Sequence, residues 1–133
     1  MKRLLISSIL AFAPFLALAD DNPAIEAMQE YVEFAEFAEG TISVEQIKQI
    51  GNENLVFVDV RMPKNFKKSH IEGAKNIEWR QVLSRRDEVP MDKTVVFYCD
   101  TGLLSSKTQF AMRVAGWENV KVLFGGYAAW KKQ

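Results

Sequence analysis

Two apolar runs rich in β-branched residues restrict the fold of this chain more than any other feature. Leu55–Val58 and Thr94–Tyr98 show no alternation of polar and apolar residues, so neither fits a strand with one face in water. Strands buried on both faces are typical of parallel sheets that helices cover on each side. Val120–Leu123 has similar character and is predicted to be a further strand.

Segments with helical character alternate with these strands. Ser43 and Gln46 have the spacing of a capping box, which predicts a helix that ends at Gly51. The pattern also predicts short strands at Thr41–Ile42 and Ala74–Ile77, and helices at Gln81–Arg86, Ser105–Ala115 and Tyr127–Lys132. This alternation predicts an α/β domain with a mostly parallel central sheet and helices on both faces.

Length and composition exclude several classes of protein. The 133 residues suffice for one domain, and 48% hydrophobic residues provide a core. The charges balance, with 17 basic and 17 acidic residues, so nothing in the net charge favours nucleic acid as a partner. A single histidine and a single cysteine cannot form a structural zinc site or an internal disulfide, and no metal is expected.

The beginning of the chain has the pattern of a secretory signal peptide. Lys2 and Arg3 precede the apolar run Leu4–Leu16, which is short for a membrane span. Ala17 and Ala19 form a small-x-small cleavage site, so residues 1–19 are predicted to be removed. The expected location is the bacterial periplasm, and no stable membrane anchor is expected after cleavage.

Residues 20–40 are predicted to form an N-terminal helical extension before a domain that spans residues 41–133. Ile25, Met28 and Val32 repeat at helical spacing, and Tyr31, Phe34 and Phe37 add a second apolar stripe. Gly40 is the predicted end of this helix. One interpretation is a helix packed on the main domain, and the other is a helix that binds a partner.

The only cysteine lies where open parallel sheets bind their ligands. Cys99 directly follows the strand Thr94–Tyr98, and ligands bind beyond the carboxyl ends of such strands. A short loop with Gly102 leads from it to the next helix, whose start Ser105 and Ser106 can cap. Backbone N–H groups of such a loop and the helix dipole favour negative charge, so they favour the thiolate.

Four stretches of the chain match a known family in their order and composition. They are Ile42–Gln46, Val58–Arg61 together with Ser69–Ile77, the loop Val96–Ser106, and Val122–Gly126 together with Trp130. In this combination they resemble a single-domain rhodanese, a sulfurtransferase module, over about ninety residues. The exported one-domain form is similar to the small periplasmic rhodaneses.

The resemblance implies a rhodanese-like fold and a two-step transfer of sulfane sulfur. Cys99 would take sulfur from a small donor such as thiosulfate or a persulfide, and a thiol or cyanide would then accept it. The resemblance implies no metal and no organic cofactor, and it places Asp59 and Arg61 in structural roles near the site. The substrate would be held by the loop residues Asp100, Thr101, Gly102, Leu103, Leu104 and Ser105.

The loop departs from the family pattern at two positions. Rhodanese loops commonly carry a basic residue directly after the cysteine or at the sixth position, where this chain has Asp100 and Leu104. A carboxylate beside the thiolate is expected to raise the pKa of Cys99 and to repel an anion. The resemblance therefore favours sulfur carriage over efficient turnover of thiosulfate.

Other functions remain as alternatives. Related phosphatases need arginine six residues after the cysteine, and Ser105 stands there, which disfavours phosphatase chemistry. One alternative is a non-catalytic module for protein interaction, and another is a thiol redox role with a partner protein's thiol. His70, the only histidine, is expected to make a structural hydrogen bond rather than act as a base.

Overall fold

The computed structural model describes residues 22–36 and 40–133, so the predicted signal peptide lies outside the described residues. Its sheet has five parallel strands in the order β1-β5-β4-β2-β3. In chain order the elements are α1 (Pro23–Phe34), β1 (Thr41–Ile42), α2 (Val44–Ile50), β2 (Leu55–Asp59), α3 (Pro63–Lys68), β3 (Lys75–Asn76), β4 (Thr94–Tyr98), α4 (Leu103–Val114), β5 (Val120–Leu123) and α5 (Gly126–Trp130).

The two apolar runs form the centre of the sheet, as predicted. β2 and β4 pair in parallel from Leu55 opposite Thr94 to Asp59 opposite Tyr98. Successive residues of β4 point into two different cores: Val96 packs beside α2 and α5, and Val95 packs beside α4. The α/β class with helices on both faces is therefore confirmed. Among the described residues, no helix has the length and apolar character of a membrane span.

The capping box before α2 is confirmed. The Gln46 side chain accepts a hydrogen bond from the Ser43 N–H at 2.8 Å, and the Gln46 N–H donates to the Ser43 hydroxyl at 3.2 Å. The predicted strands over residues 41–42, 94–98 and 120–123 have the observed bounds. The alternation of strands and helices in the sequence therefore predicted the central strands of the domain correctly.

Several predicted helices have different bounds. Gln81–Arg86 forms turns rather than an α-helix, and the Arg85 N–H is shared between the carbonyls of Gln81 and Val82. A 3-10 turn follows at Arg86–Glu88. The strand predicted over residues 74–77 keeps only its two central residues, and the last helix begins at Gly126 and ends at Trp130. α3 was not predicted.

The N-terminal helix is shorter than its apolar pattern predicted. α1 ends at Phe34, and Ala35 adopts an extended conformation, although no breaker residue stands there. Residue 37, part of the predicted second stripe, lies outside the described residues, as do residues 20 and 21.

One side of α1 packs on α4, as the first interpretation of the helix expected. The Tyr31 ring meets the Phe110 ring edge-on at 5.1 Å between centroids, and its hydroxyl lies 3.5 Å from the Gln109 side-chain oxygen. Val32 and Phe34 stay exposed, and none of the helix's residues is fully buried. Partner binding through this exposed side stays a prediction.

Candidate active site

The loop after β4 is wrapped around the sulfur of Cys99. The Gly102 N–H points to the Cys99 Sγ, with 3.2 Å between nitrogen and sulfur, and the Ser105 Oγ lies 3.6 Å from the same sulfur. Gly102 adopts φ of +108°, a left-handed conformation that side chains resist, and this turn aims its N–H inward. The loop amides therefore converge on one atom, as the sequence predicted.

Helix α4 begins directly at this loop, at Leu103 rather than at Ser105. The two serines do not cap its N–H groups, because both hydroxyls donate to the Gly102 carbonyl, at 3.1 Å from Ser105 and 2.7 Å from Ser106. Neither serine side chain therefore accepts a hydrogen bond from an N–H group in the first turn of α4. Of these groups, the Ser105 N–H bonds the sulfur of Cys99.

Burial and hydrogen bonding act on the thiol in opposite directions. Burial raises the pKa of Cys99, since only 3% of the residue is exposed, but hydrogen bonds outweigh this effect and the net pKa lies below its ordinary value. The hydrogen bonds come from the Ser105 backbone, then its hydroxyl, and then the backbones of Thr101 and Gly102. The net direction is therefore downward, although the neighbouring carboxylate of Asp100 was expected to raise the pKa of Cys99.

We predict that the lowered pKa is visible in alkylation. As pH falls, a thiol with a lowered pKa stays ionised to a lower pH, and only the thiolate reacts with iodoacetamide. The midpoint, the pH at which the alkylation rate is half-maximal, should therefore be lower for the folded protein than for the chain unfolded in urea. Ser105→Ala should raise this midpoint by about half a unit or more, whereas Ser106→Ala should not move it. Equal midpoints for folded and unfolded chain would contradict the prediction.

The carboxylate of Asp100 is turned toward Arg61. Arg61 Nη1 donates to Asp100 Oδ1 at 3.0 Å, while its Nη2 donates to Asp59 Oδ2 at 2.6 Å and to the Ser69 carbonyl at 2.7 Å. The arginine and Asp59 are buried, and the Asp100 side chain is 63% exposed. Arg61 thus joins the end of β2 to the loop after β4, which agrees with its predicted structural role.

Two tyrosine rings also contact the Arg61 guanidinium. The Arg61 carbon Cζ lies 4.5 Å from the centroid of the Tyr127 ring and 5.7 Å from that of Tyr98. Cation–π contacts of this kind gain strength when they are shielded from water. The Tyr98 hydroxyl accepts a hydrogen bond from the Ile71 N–H at 3.1 Å, which ties the same region to the segment before β3.

The start of α5 makes hydrogen bonds to the loop after β4, a role that the sequence did not predict. The Tyr127 N–H donates to the Cys99 carbonyl at 2.8 Å, and the Ala128 N–H donates to the Asp100 carbonyl at 3.0 Å. Gly126 makes this approach possible, since a Cβ there would stand 2.6 Å from the Cys99 carbonyl oxygen. In the sequence, the paired glycines at residues 125 and 126 were the feature that could have indicated this close approach.

The remaining loop residues form the outer rim. Leu103 is 66% exposed, and Thr101 is also exposed. Leu104 is half-buried and packs against the core cluster that includes Cys99. The six loop residues predicted to bind substrate thus include amides that bond the sulfur, exposed side chains at Asp100, Thr101 and Leu103, and the Leu104 side chain, which packs on the core.

Residues outside the loop have structural contacts. His70 Nδ1 lies 2.8 Å from the Phe66 carbonyl, and its ring stacks on the Phe66 ring at 3.8 Å, as its expected structural role requires. Arg80 pairs with Glu78, and Arg85 pairs with Glu88. Across residues 22–36 and 40–133, no three His, Cys, Asp or Glu side chains are grouped as a metal site needs.

Comparison with known proteins identifies the family. The model of the rhodanese-like domain matches residues 43–133. YqhL, an uncharacterized protein of Bacillus subtilis, is 32% identical over 90 residues, which cover 68% of this chain and 71% of YqhL. The chain belongs to the rhodanese-like domain family.

A second relative has a named activity. The thiosulfate sulfurtransferase GlpE of Shewanella oneidensis is 30% identical over 90 residues, covering 67% of this chain and 89% of GlpE. The solution structure of the rhodanese-like domain of Alr3790 from Anabaena has a TM-score of 0.63 at 24% identity, covering 71% of this chain and 74% of that one. The relatives support sulfur transfer in general, and the structural match supports the fold.

Other relatives are much longer than this chain. The chain spans 32% of MoeZ, a probable adenylyltransferase/sulfurtransferase of Mycobacterium tuberculosis, at 31% identity over 125 residues. It spans 16% of the Bacillus anthracis CoADR-RHD chain, with a TM-score of 0.62 and 28% identity. The rhodanese-like domain thus also forms part of larger proteins.

Proposed function

We propose that this protein is an exported sulfurtransferase that carries a sulfane sulfur on Cys99 from a donor, such as thiosulfate or a persulfide, to a thiophilic acceptor. The observation that carries the proposal is the set of loop hydrogen bonds that converge on the Cys99 sulfur at the end of β4. Membership of the rhodanese-like family and the relatives named as sulfurtransferases support the same chemistry.

In the first step, the Cys99 thiolate attacks the outer sulfur of the donor. A new bond forms between the two sulfurs, and the bond between the transferred sulfur and the rest of the donor breaks. The electron pair of that bond leaves with sulfite when thiosulfate is the donor, or with a thiolate when a persulfide is the donor. The product is Cys99 persulfide, whose outer sulfur carries the negative charge.

In the second step, a nucleophilic acceptor attacks the outer sulfur of the persulfide. Cyanide would leave as thiocyanate, and a thiolate would leave as a new persulfide. The electron pair of the broken bond returns to the Cys99 sulfur, so the thiolate is regenerated and no external oxidant or reductant is required. One difficult transfer is thereby divided into two displacements at sulfur.

The loop contributes by stabilising negative charge on sulfur in both steps. Backbone N–H groups of Thr101, Gly102 and Ser105 lower the pKa of the Cys99 thiol, and such fixed donors act on an anion without having to reorient. The Ser105 hydroxyl, 3.6 Å from the sulfur, adds to this effect when it turns from the Gly102 carbonyl toward the thiolate. Arg61 and the start of α5 act as positioning elements, because they hold the loop rather than the sulfur itself. No step requires a metal or an organic cofactor.

The proposal is tested by intact-mass measurement after the purified protein is incubated with thiosulfate, polysulfide or a low-molecular-weight persulfide. We expect a mass gain of one sulfur atom that cyanide removes, and no gain in Cys99→Ser, which keeps a similar shape without the thiol. A wild-type protein that gains no sulfur from any of the three donors would contradict the proposal.

Export is proposed from the charge and hydropathy pattern of residues 1–19. The same mass measurement tests it when the full chain is expressed in a bacterial host and recovered from the periplasmic fraction. The expected mass is that of residues 20–133. Protein of full-length mass confined to the cytoplasmic fraction would contradict export and leave the sulfur-transfer proposal standing.

A further inference from the structure

We propose, on the basis of the proposed sulfur transfer, that this site selects sulfane donors with at most one negative charge and an apolar group behind the transferred sulfur. Asp100 and Leu103 are the residues that determine this specificity. Thiosulfate, a dianion, is then a poor donor, and organic persulfides and thiosulfonates are good ones. The inference concerns the identity of the donor, which the family fold alone does not define.

The first reason is that the cation nearest to the loop is already neutralised. Arg61 is 5% exposed and directs its guanidinium to Asp59, Asp100 and the Ser69 carbonyl, so most of its N–H donors are already engaged and its charge is shielded from a substrate. Two carboxylates accompany this one guanidinium, and the three side chains together carry a net charge of −1. A dianion that approaches the loop meets repulsion instead of a counter-charge.

The second reason is the chemistry of the outer rim. The sulfur of Cys99 is almost fully buried, so the donor must present its sulfur inward while its remaining group stays at the rim. The exposed side chains there include the carboxylate of Asp100, 63% exposed, the aliphatic chain of Leu103, 66% exposed, and the uncharged hydroxyl of Thr101. An apolar group can pack on Leu103, whereas a sulfonate at this position faces a carboxylate and loses part of its hydration.

The two lysines nearest to the loop in sequence on α4 and α5 lie over aromatic rings. Residues 99–106 include no lysine or arginine. Lys107, one residue further along α4, lies over the Trp79 ring at 5.6 Å, and Lys131 of α5 lies over the Tyr127 ring at 5.3 Å. Residues 99–106 thus offer amides to one anionic sulfur atom and provide no basic side chain for a second anionic group.

A comparison of two donors separates the effect of the donor's charge from the effect of its size. Thiosulfate and methanethiosulfonate carry the same transferable sulfur, but a methyl group replaces one anionic oxygen in the second. With either donor the Cys99 thiolate forms a bond to the outer sulfur, and the donor's sulfur–sulfur bond breaks. Sulfite leaves from thiosulfate and methanesulfinate leaves from methanethiosulfonate, each with the bonding electron pair, so charge is conserved in both reactions.

The test compares kcat/KM for both donors, with cyanide as acceptor, in wild type and in Leu103→Lys. Leu103 is exposed at the first position of α4, so lysine is tolerated there. An added positive charge acts twice as strongly on the dianion. We expect a gain of about tenfold for thiosulfate and about threefold for methanethiosulfonate at low salt, and both gains should shrink at high salt. Asp100→Asn should also raise kcat/KM for thiosulfate relative to kcat/KM for methanethiosulfonate.

Val32→Lys is the matched control, because it adds the same charge at an exposed apolar residue of α1, far from the loop. Its kcat/KM values should stay within about twofold of wild type for both donors. Equal gains for both donors in Leu103→Lys, or no gain in either, would overturn the specificity inference. If methanethiosulfonate loads no sulfur on wild-type Cys99 while a low-molecular-weight persulfide or polysulfide does, the specificity inference is overturned and the proposed function stands; failure of every donor would instead overturn the proposed function on which the inference rests.

Discussion

Replacing Arg61 by methionine is expected to lower the free energy of unfolding by about 3–5 kcal/mol, the cost of leaving a buried charge without its partner. Asp59 is fully buried, and three guanidinium hydrogen bonds of 2.6–3.1 Å satisfy its carboxylate. Methionine has a similar length but offers no donor, so the Asp59 carboxylate loses these bonds and the Ser69 carbonyl loses one. Urea denaturation monitored by tryptophan fluorescence measures the loss.

Arg86→Met is the control for this substitution, since Arg86 is exposed and donates only to the Leu83 carbonyl at 3.0 Å. We expect it to change the free energy of unfolding by less than about 1 kcal/mol. The double variant Arg61→Met with Asp59→Asn should recover part of the stability, because the buried charge is removed together with its partner. Equal losses for Arg61→Met and Arg86→Met would show that the buried pair is not stabilising.

The parts of the fold that follow from local pattern were predictable. β2 and β4 are apolar on both faces because helices cover both sides of the sheet, so their sequences carry the signal directly. The position of Cys99 at the end of β4 followed from the strand that precedes it. The capping box at Ser43 was equally visible, since its two hydrogen bonds join residues three apart.

The parts that depend on long-range contacts were not predictable from pattern. Asp100 was expected to raise the pKa of the neighbouring thiol, but its carboxylate is bound to Arg61, which lies 39 residues earlier in the chain. The end of the N-terminal helix was not predicted either. Its apolar spacing continues beyond Phe34, but the helix ends there and Ala35 is extended, although no residue type in the sequence marks the change. Periodicity describes one element at a time and does not record what the tertiary structure brings beside it.

Gly126→Ala is expected to lower sulfur loading of Cys99 by about a hundredfold, because the added Cβ must displace the active loop. That Cβ would stand 2.6 Å from the Cys99 carbonyl oxygen and 2.7 Å from the Thr101 nitrogen, distances at which backbone atoms cannot remain. The Thr101 N–H is one of the groups that lower the pKa of the thiol. The change therefore acts on the geometry that holds the sulfur, and the rate of persulfide formation measures it.

Gly73→Ala separates this effect from backbone strain. Gly73 has φ of +79°, close to the +61° of Gly126, but no atom lies within 4 Å of the position of its added Cβ. Both variants should lose about 1–2 kcal/mol of stability from the left-handed conformation, with a larger loss in Gly126→Ala. Only Gly126→Ala should also shift the alkylation midpoint of Cys99 to higher pH. If both variants load sulfur equally well, the contact between α5 and the loop does not position the thiol.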